Sequence, residues 1–553
     1  MRTGADAIAE TLSAHDVPVV FTLCGDHTNP LLDAIDRAGI RIVDTRDERG
    51  AAWMAAGWAY ATARTGVVIT SNTPALLNAA TGLADADACG IPVLCLTGGV
   101  AQADRGAGHP GEADQAAIAA PWSRWTGTAR SAEEAAGRTA RAFAATRERR
   151  PGVAVLDLPL DVQHGRADVP VAPPIRPARP GPSPAELETL VDALDRAERP
   201  VLLAGSRAWF SGASAGLRSL IERAALPTFT TRAARGLIPD SHEHALGFPS
   251  LLGEPAQIAF GEADLALVVG ADLDLMVAGG AFHDGCTLVR VDSDPGAFAL
   301  GRKADVAIEG NEAAVVGEVS ARARARAPTD WNVRLRAARD ARRATLAPRA
   351  TIRSTPMHPG RLVAEVAALL PDDAMVCVDA GELALWALDA IPAMREASMH
   401  VSSSSRLGAL GMGLPFAIGM KAAFPDRPAV VLAGDGSFGF TAMELETSAR
   451  HGLPVAVVVG NDAGWGIVRH LQRAHYGRSL ASDLPPTPYE LLAEMAGGVG
   501  DAVRTPQQLV IALTNAIVAG VPSVINVHVD PDVTHEAIPL VAAMFAPRED
   551  PGA

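Results

Sequence analysis

Two aspartates, Asp435 in GDGSFG and Asp462 in NDAGWG, are the residues of this 553-residue chain whose types and spacing most plainly offer chemistry. The segment around them, PAVVLAGDGSFGFTAMELETSARHGLPVAVVVGNDAGWG at 428–466, reads as strand, tight turn, helix, strand and second polar turn. In a right-handed strand–helix–strand unit of about 30 residues both strands end at the same edge of the sheet, which predicts that Asp435 and Asp462 are neighbours. Two carboxylates and a loop carbonyl at such an edge suit Mg²⁺, which takes few protein ligands and completes its octahedron with water or phosphate oxygens. Gly434 and Gly436 would let the backbone approach an anion, and a helix starting near Thr441 would turn its positive end toward it. GDG alone marks only a turn. GDG followed after a spacer of 24 residues by an Asn/Asp turn, each behind a buried strand, is far more specific.

Positioning such a pair needs rigid parallel sheets, and the rest of the chain supplies their pattern. Short Val/Ile/Leu runs such as IRIVDT (40–45), VAVLDLPL (153–160), RPVLLAG (199–205) and LALVVGA (265–271) alternate with longer Ala-rich amphipathic stretches. The fold class expected is α/β, three doubly wound parallel-sheet domains. Pro-rich VPVAPPIRPARPGPSP (169–184) and the Arg-rich stretch 321–357 read as connections, giving domains of 1–168, 183–325 and 357–540. An internal echo links LADADACGIPVLCLTGG (83–99) to LETSARHGLPVAVVVGN (445–461), with LIERAALPTFTT (220–231) a looser copy; it speaks of fold and not of function.

Bulk composition narrows the classes. Net charge is -15 and only Lys303 and Lys421 are lysines, so no basic cluster offers a nucleic-acid face. The five cysteines, at 24, 89, 95, 286 and 377, lack CxxC or zinc spacing and read as mostly buried thiols of a reducing compartment. The N-terminus has no apolar signal core and no window of about 18 uninterrupted apolar residues occurs, so a cytoplasmic protein without membrane partners is expected.

The aspartate segment resembles the cofactor-binding signature of thiamine diphosphate enzymes, GDG followed by a second Asn-Asn turn. The resemblance implies Asp435, the Asp462 side chain and the Gly464 carbonyl as metal ligands, with Gly434, Gly436, Ser437, Gly466 and Ile467 lining the cofactor. Asp462 stands where the family has Asn, and Asn461 is expected to hold the turn. RIVDTRDERGAAWMAAGWAYATARTGVVIT (41–70) is similar to the N-terminal domain of that family around its activating glutamate, which falls on Glu48. A carboxyl group against N1′ of the aminopyrimidine lets the 4′-imine form and take the thiazolium C2 proton, and apolar Ala51, Ala52, Trp53 and Met54 would tune it by burial. Without the resemblance, Glu48 reads as a helix-start acid complementing the dipole. SRLGALGMGLPFAIG (405–419) resembles the loop that bends the cofactor, with Leu410 as wedge and the Gly408 carbonyl receiving the 4′-amino group. Since Glu48 and the metal lie in different domains, the resemblance also implies sites between subunits, in a homodimer or homotetramer.

Within the family the chain looks most like the acetolactate synthase branch, in HPGEADQ (109–115), PWSRWTGTARSAEE and PGVAVLDLPLDVQ. It departs from that branch at Pro110-Gly111-Glu112, where the usual glutamine is missing, and at Cys24-Gly25-Asp26-His27. A histidine there resembles benzaldehyde lyase and 2-hydroxyacyl-CoA lyases, making His27 a second catalytic candidate. FPSLLGEP (248–255) and GADLDLMV (270–277) lack the FAD pattern of acetolactate synthases, so FAD is not expected. Glu382 in DAGEL (379–383) replaces a neutral donor near the diphosphate, and Arg469 and His470 could meet a substrate anion or face solvent. The reading is a thiamine diphosphate- and Mg²⁺-dependent carboligase or lyase acting on a 2-oxo acid or 2-hydroxyacyl substrate. The alternatives are a 2-hydroxyacyl-CoA or acyloin lyase, and a non-catalytic cofactor-binding relative.

Overall fold

The computed structural model describes residues 1–545 apart from 169, 177, 251, 397 and 402–406, together with the side chains of these residues except 275, 276, 278 and 545. It contains three six-stranded sheets, each wholly parallel and flanked by helices. Their central strands, such as Val153–Pro159 and Ala456–Asn461, are buried along their whole length, as strands covered on both faces must be.

Numbered within each sheet, the first and last share the strand order 2-1-3-4-6-5, whereas the middle sheet runs 3-2-1-4-5-6. The internal echo in the sequence therefore has a structural meaning. Strands Val93–Gly99 and Ala456–Asn461 are each fourth in their sheet, and each follows a helix closed by a left-handed glycine, Gly90 (φ 70°) or Gly452 (φ 62°). The looser copy at 220–231 leads into the second strand of the middle sheet and is not equivalent.

The first and third sheets join through two helices, Glu48–Thr62 and Gly413–Ala423. A Cβ on Gly57 would lie 2.1 Å from the Phe416 carbonyl oxygen, and one on Gly419 would lie 2.0 Å from that of Met54. These glycines let the backbones touch. Because Met54 meets Gly419 while Gly57 meets Phe416, the helices run antiparallel, and Glu48 points away from the amino end of the second helix. The Arg-rich connection is not extended: Asp330–Leu346 forms a 17-residue helix beside the middle and third domains.

In the middle sheet the strand order reverses between Pro200–Ala204 and Leu265–Val269, the place where such folds receive nucleotides. Here the crevice holds Arg207, paired to Asp292 at 2.6 Å and Asp272 at 3.0 Å, with Arg150 on Asp272 at 3.1 Å. A cavity of about 40 Å³ remains among them.

Candidate active site

Strands Ala429–Gly434 and Ala456–Asn461 are adjacent and in register, with Gly434 beside Gly460, so Asp435 and Asp462 leave the sheet at one edge. Asp435 is 1% exposed; its Oδ2 accepts from the Gly464 N–H at 3.0 Å, and its Oδ1 is buried without a partner. Burial and then the field of Asp462 push the Asp435 carboxyl up to about 7. Burial raises Asp462 as well, against the pull of Arg469. Two carboxylates in one dry corner, one with an orphaned oxygen, fit a hard divalent cation between them. Among the described residues no group of three or more His, Cys, Asp or Glu could hold a metal ion.

The turn is built around these groups. Asn461 accepts from the Ala463 N–H at 3.1 Å and donates to Asn526 Oδ1 at 3.0 Å, holding Ala463 at φ 52°. A Cβ on Gly436 would lie 2.7 Å from the Trp465 ring, and one on Gly466 would lie 2.4 Å from Asp462 Oδ2, so both glycines are needed for room. Ser437 donates to the Gly434 carbonyl at 3.1 Å. The helix after GDG starts at Asp435 itself and covers only Asp435–Phe438. The next helix starts at Glu444, so Thr441 lies between them and does not open a helix. Instead, the Thr441 hydroxyl donates to the Gly411 carbonyl at 2.7 Å.

Arg469 and His470 do not face solvent. Arg469 donates to Asp462 Oδ2 at 2.6 Å, placing a cation beside the carboxylate that replaces the family asparagine. His470 has Nδ1 2.5 Å from Glu382 Oε2 and Nε2 2.9 Å from the Pro531 carbonyl oxygen. Acceptors beside both nitrogens favour the protonated ring. Burial pushes its pKa down, but the Glu382 carboxylate outweighs this and the net direction is up. Glu382 also accepts from the His535 N–H. The two carboxylates that depart from the family pattern, Glu382 and Asp462, thus each lie against a basic side chain.

Gly408 (φ 65°) and Gly411 (φ 86°) shape the loop that carries Leu410; its first residues in the sequence motif, Ser405 and Arg406, lie outside the described residues. Asp379, which sequence reasoning passed over, anchors that loop. Its Oδ1 accepts from Gly411 at 3.0 Å and Ala380 at 2.7 Å, its Oδ2 from Gly413 at 2.9 Å. Burial pushes this carboxyl up to about 6 despite the three N–H donors. An aspartate directly after a buried strand and two residues before Gly381 was the available signal.

Glu48 starts its helix buried, with Ala51, Ala52, Trp53 and Met54 buried behind it, and its Oε2 accepts from Asn78 Nδ2 at 3.1 Å. His27 lies in a short 3-10 turn after strand Val19–Thr22, at the same sheet edge, and its carbonyl accepts from Gln163 Nε2 at 2.7 Å. Glu444, also unforeseen, accepts from the Arg46 N–H at 3.2 Å and the Asp47 N–H at 3.1 Å, tying the Glu48 turn to the third domain. Within one chain Glu48 and Leu410 lie toward opposite ends of the paired helices, roughly 20 Å apart along an axis rising about 1.5 Å per residue. One chain alone does not bring them together.

Gly408, Leu410, Ile467 and Val468 line a cavity of about 870 Å³ between the third domain, the middle domain and the helix Ile538–Phe545. Residues beyond 545 lie outside the described residues.

The arrangement is a pair of withdrawn carboxylates on glycine-rich turns at one sheet edge. The chain belongs to the thiamine pyrophosphate enzyme family: residues 2–118 match its N-terminal TPP binding domain, 187–319 its central domain and 379–527 its C-terminal TPP binding domain. It is a thiamine diphosphate-dependent enzyme of the acetolactate synthase-like kind. It is 34% identical over 543 residues, 96% of each chain, to a probable acetolactate synthase of Mycobacterium bovis. It is 28% identical over 543 residues, 90% of this chain and 85% of the other, to 2-hydroxyacyl-CoA lyase 2 of Bos taurus. The fold is that of a thiamine diphosphate-dependent 4-hydroxybenzoylformate decarboxylase of Rhodococcus jostii, with TM-score 0.84 at 22% identity over 96% of this chain and 99% of that one. No helix among the described residues is long and apolar enough to cross a membrane.

Proposed function

We propose that this enzyme is a Mg²⁺-dependent carboligase that decarboxylates a 2-oxo acid and passes the acyl group to an acceptor carbonyl, working as a dimer or larger homo-oligomer in the cytoplasm. The observation that carries it is the unpartnered Asp435 Oδ1 beside Asp462, two carboxylates that could share a cation. Asp435, Asp462 and the Gly464 carbonyl would hold the metal and, through it, the diphosphate. Gly434, Gly436, Ser437, Gly466 and Ile467 would line that end, while Leu410 and the Gly408 carbonyl would fix the rings. Thiamine diphosphate, when bound, supplies a carbon nucleophile for carbonyl carbons. Glu48 of the partner subunit would hold the proton exchanged with the aminopyrimidine, because the antiparallel helices keep each chain's own Glu48 away from its Leu410. His27, at the Glu48 edge, is the candidate for moving protons on the substrate side. Four buried cysteines and no disulfide support a reducing compartment. The ion pairs filling the middle crevice support an enzyme without FAD.

The size of the main cavity favours one further reading, cleavage of a 2-hydroxyacyl thioester or acyloin. Product analysis with thiamine diphosphate, Mg²⁺ and pyruvate decides between them. Acetolactate from the parent, with a loss of about a hundredfold or more in Glu48→Gln, is expected for the synthase reading. Cofactor uptake with pyruvate untouched transfers the assignment to the lyase, and near-normal rates in Glu48→Gln remove Glu48 from catalysis.

A further inference from the structure

The guanidinium of Arg232 is a buried charge that has no hydrogen-bond or ion-pair partner among the described residues. Arg232 is 8% exposed, and its Nε is buried without a partner. It stacks over Phe248, 5.1 Å from the ring centre. Burial pushes its pKa down to about 10, with only the field of Asp274 opposing. An uncompensated buried cation is costly, and a short polar turn such as Thr231–Arg235 has no need of one.

Other cations on the wall of the 870 Å³ cavity are occupied. Arg235 forms a forked pair with Asp240, Arg342 pairs with Asp389 and Glu536, Arg343 donates to the Asp240 carbonyl, and Arg339 to that of Ala245. Arg232, which also borders the smaller crevice cavity beside Asp272 and Asp274, is the arginine on this wall with no hydrogen bond or ion pair among the described residues. Leu346, Leu388, Leu540 and Val541 are among the apolar residues that line the same cavity as Arg232 and Leu410. A cavity of this volume is in the range that encloses a drug-sized molecule, well beyond what pyruvate would fill.

We propose that Arg232 binds an oxyanion, carboxylate or phosphate, at the end of a substrate remote from the reacting carbonyl, the body between the two being apolar. This deepens the carboligase or lyase reading and rests on it for the place of the carbonyl. The anion site itself is read by binding, so either can fail alone. A guanidinium offers a planar fork to such an anion, and charge-assisted bonds in a dry site are strong enough to select it.

The test is calorimetric titration of the enzyme loaded with thiamine diphosphate and Mg²⁺, using phenylbutyrate, phenylbutyl phosphate and phenylbutanol as probes. At least one anion should bind about tenfold or more tightly than the alcohol, and Arg232→Met should abolish that preference while cofactor uptake is unchanged. Which anion is favoured separates carboxylate from phosphate substrates. Melting temperature should hold or rise in Arg232→Met, since an apolar side chain of similar length replaces an unpaired buried charge. If the methionine variant does not fold, Arg232→Lys decides, because a point charge lacks the fork and should weaken the anion several-fold relative to the alcohol. Equal binding of anion and alcohol by the parent, no saturable binding of any probe, or a preference that survives in the variants would overturn the proposal.

Discussion

Arg469 and Asp462 are joined by a hydrogen bond of 2.6 Å between two side chains withdrawn from solvent. The charge that aspartate adds at this turn is therefore balanced inside the protein. Exchanging Asp462 for the neutral Asn of the family leaves the buried guanidinium with carbonyl acceptors and Asp483 3.6 Å away, at a cost of about 1 to 3 kcal/mol. Denaturant unfolding of the cofactor-free protein should show that loss in Asp462→Asn and recover most of it in Asp462→Asn with Arg469→Gln. Additive losses would show that the two side chains act separately.

The antiparallel contact of Glu48–Thr62 with Gly413–Ala423 predicts shared sites between subunits. Glu48→Gln and Asp435→Ala should each be nearly inactive. When the two are unfolded and refolded together, random pairing gives about half mixed dimers, each with one intact site, so about a quarter of parental activity returns. No recovery would place Glu48 and Asp435 in the same chain's site.

The Glu382 and His470 pair predicts a pH dependence whose sign follows from the raised histidine. The folded state holds the proton more tightly than the unfolded one. The pair's contribution is thus complete below about pH 6.5 and is lost as pH rises through the folded value. Glu382→Gln should flatten this fall in stability, measured by thermal unfolding of the cofactor-free protein from about pH 6 to 9. His470 followed by NMR should titrate above an ordinary histidine in the parent and lower in the variant.

The features legible in the sequence are those written in adjacent residues. GDG and NDAGWG sit on consecutive parallel strands, so register carries Asp435 to Asp462 once the strands are recognised. The three-sheet fold was legible for the same reason, its buried strands being continuous apolar runs. Pairings across long sequence separations were not. Glu382 to His470 spans 88 residues, and Glu444 to Arg46 spans 398. Nothing in the local pattern around Arg469 or His470 distinguishes a buried pair from a solvated helix face, and the helix at Asp330–Leu346 hid within an Arg-rich stretch that reads as a linker.

Asp379 gives the sharpest separation of loop geometry from metal binding. Its carboxylate receives the N–H groups of Gly411 and Gly413, which follow Leu410, and it follows a different strand from those that lead to Asp435 and Asp462. Asp379→Asn leaves one acceptor oxygen and turns an amide N–H₂ toward a backbone donor, so at least one buried N–H loses its partner, at about 1 to 3 kcal/mol. The loop should then hold Leu410 less firmly. Turnover should fall at saturating cofactor, by about tenfold or more if the wedge shifts by an ångström. Mg²⁺-dependent uptake of thiamine diphosphate, measured by quenching of tryptophan fluorescence, should change far less, because the Asp435 and Asp462 turns are untouched. Loss of uptake and turnover in equal measure would mean that Asp379 supports the whole sheet edge and not the wedge.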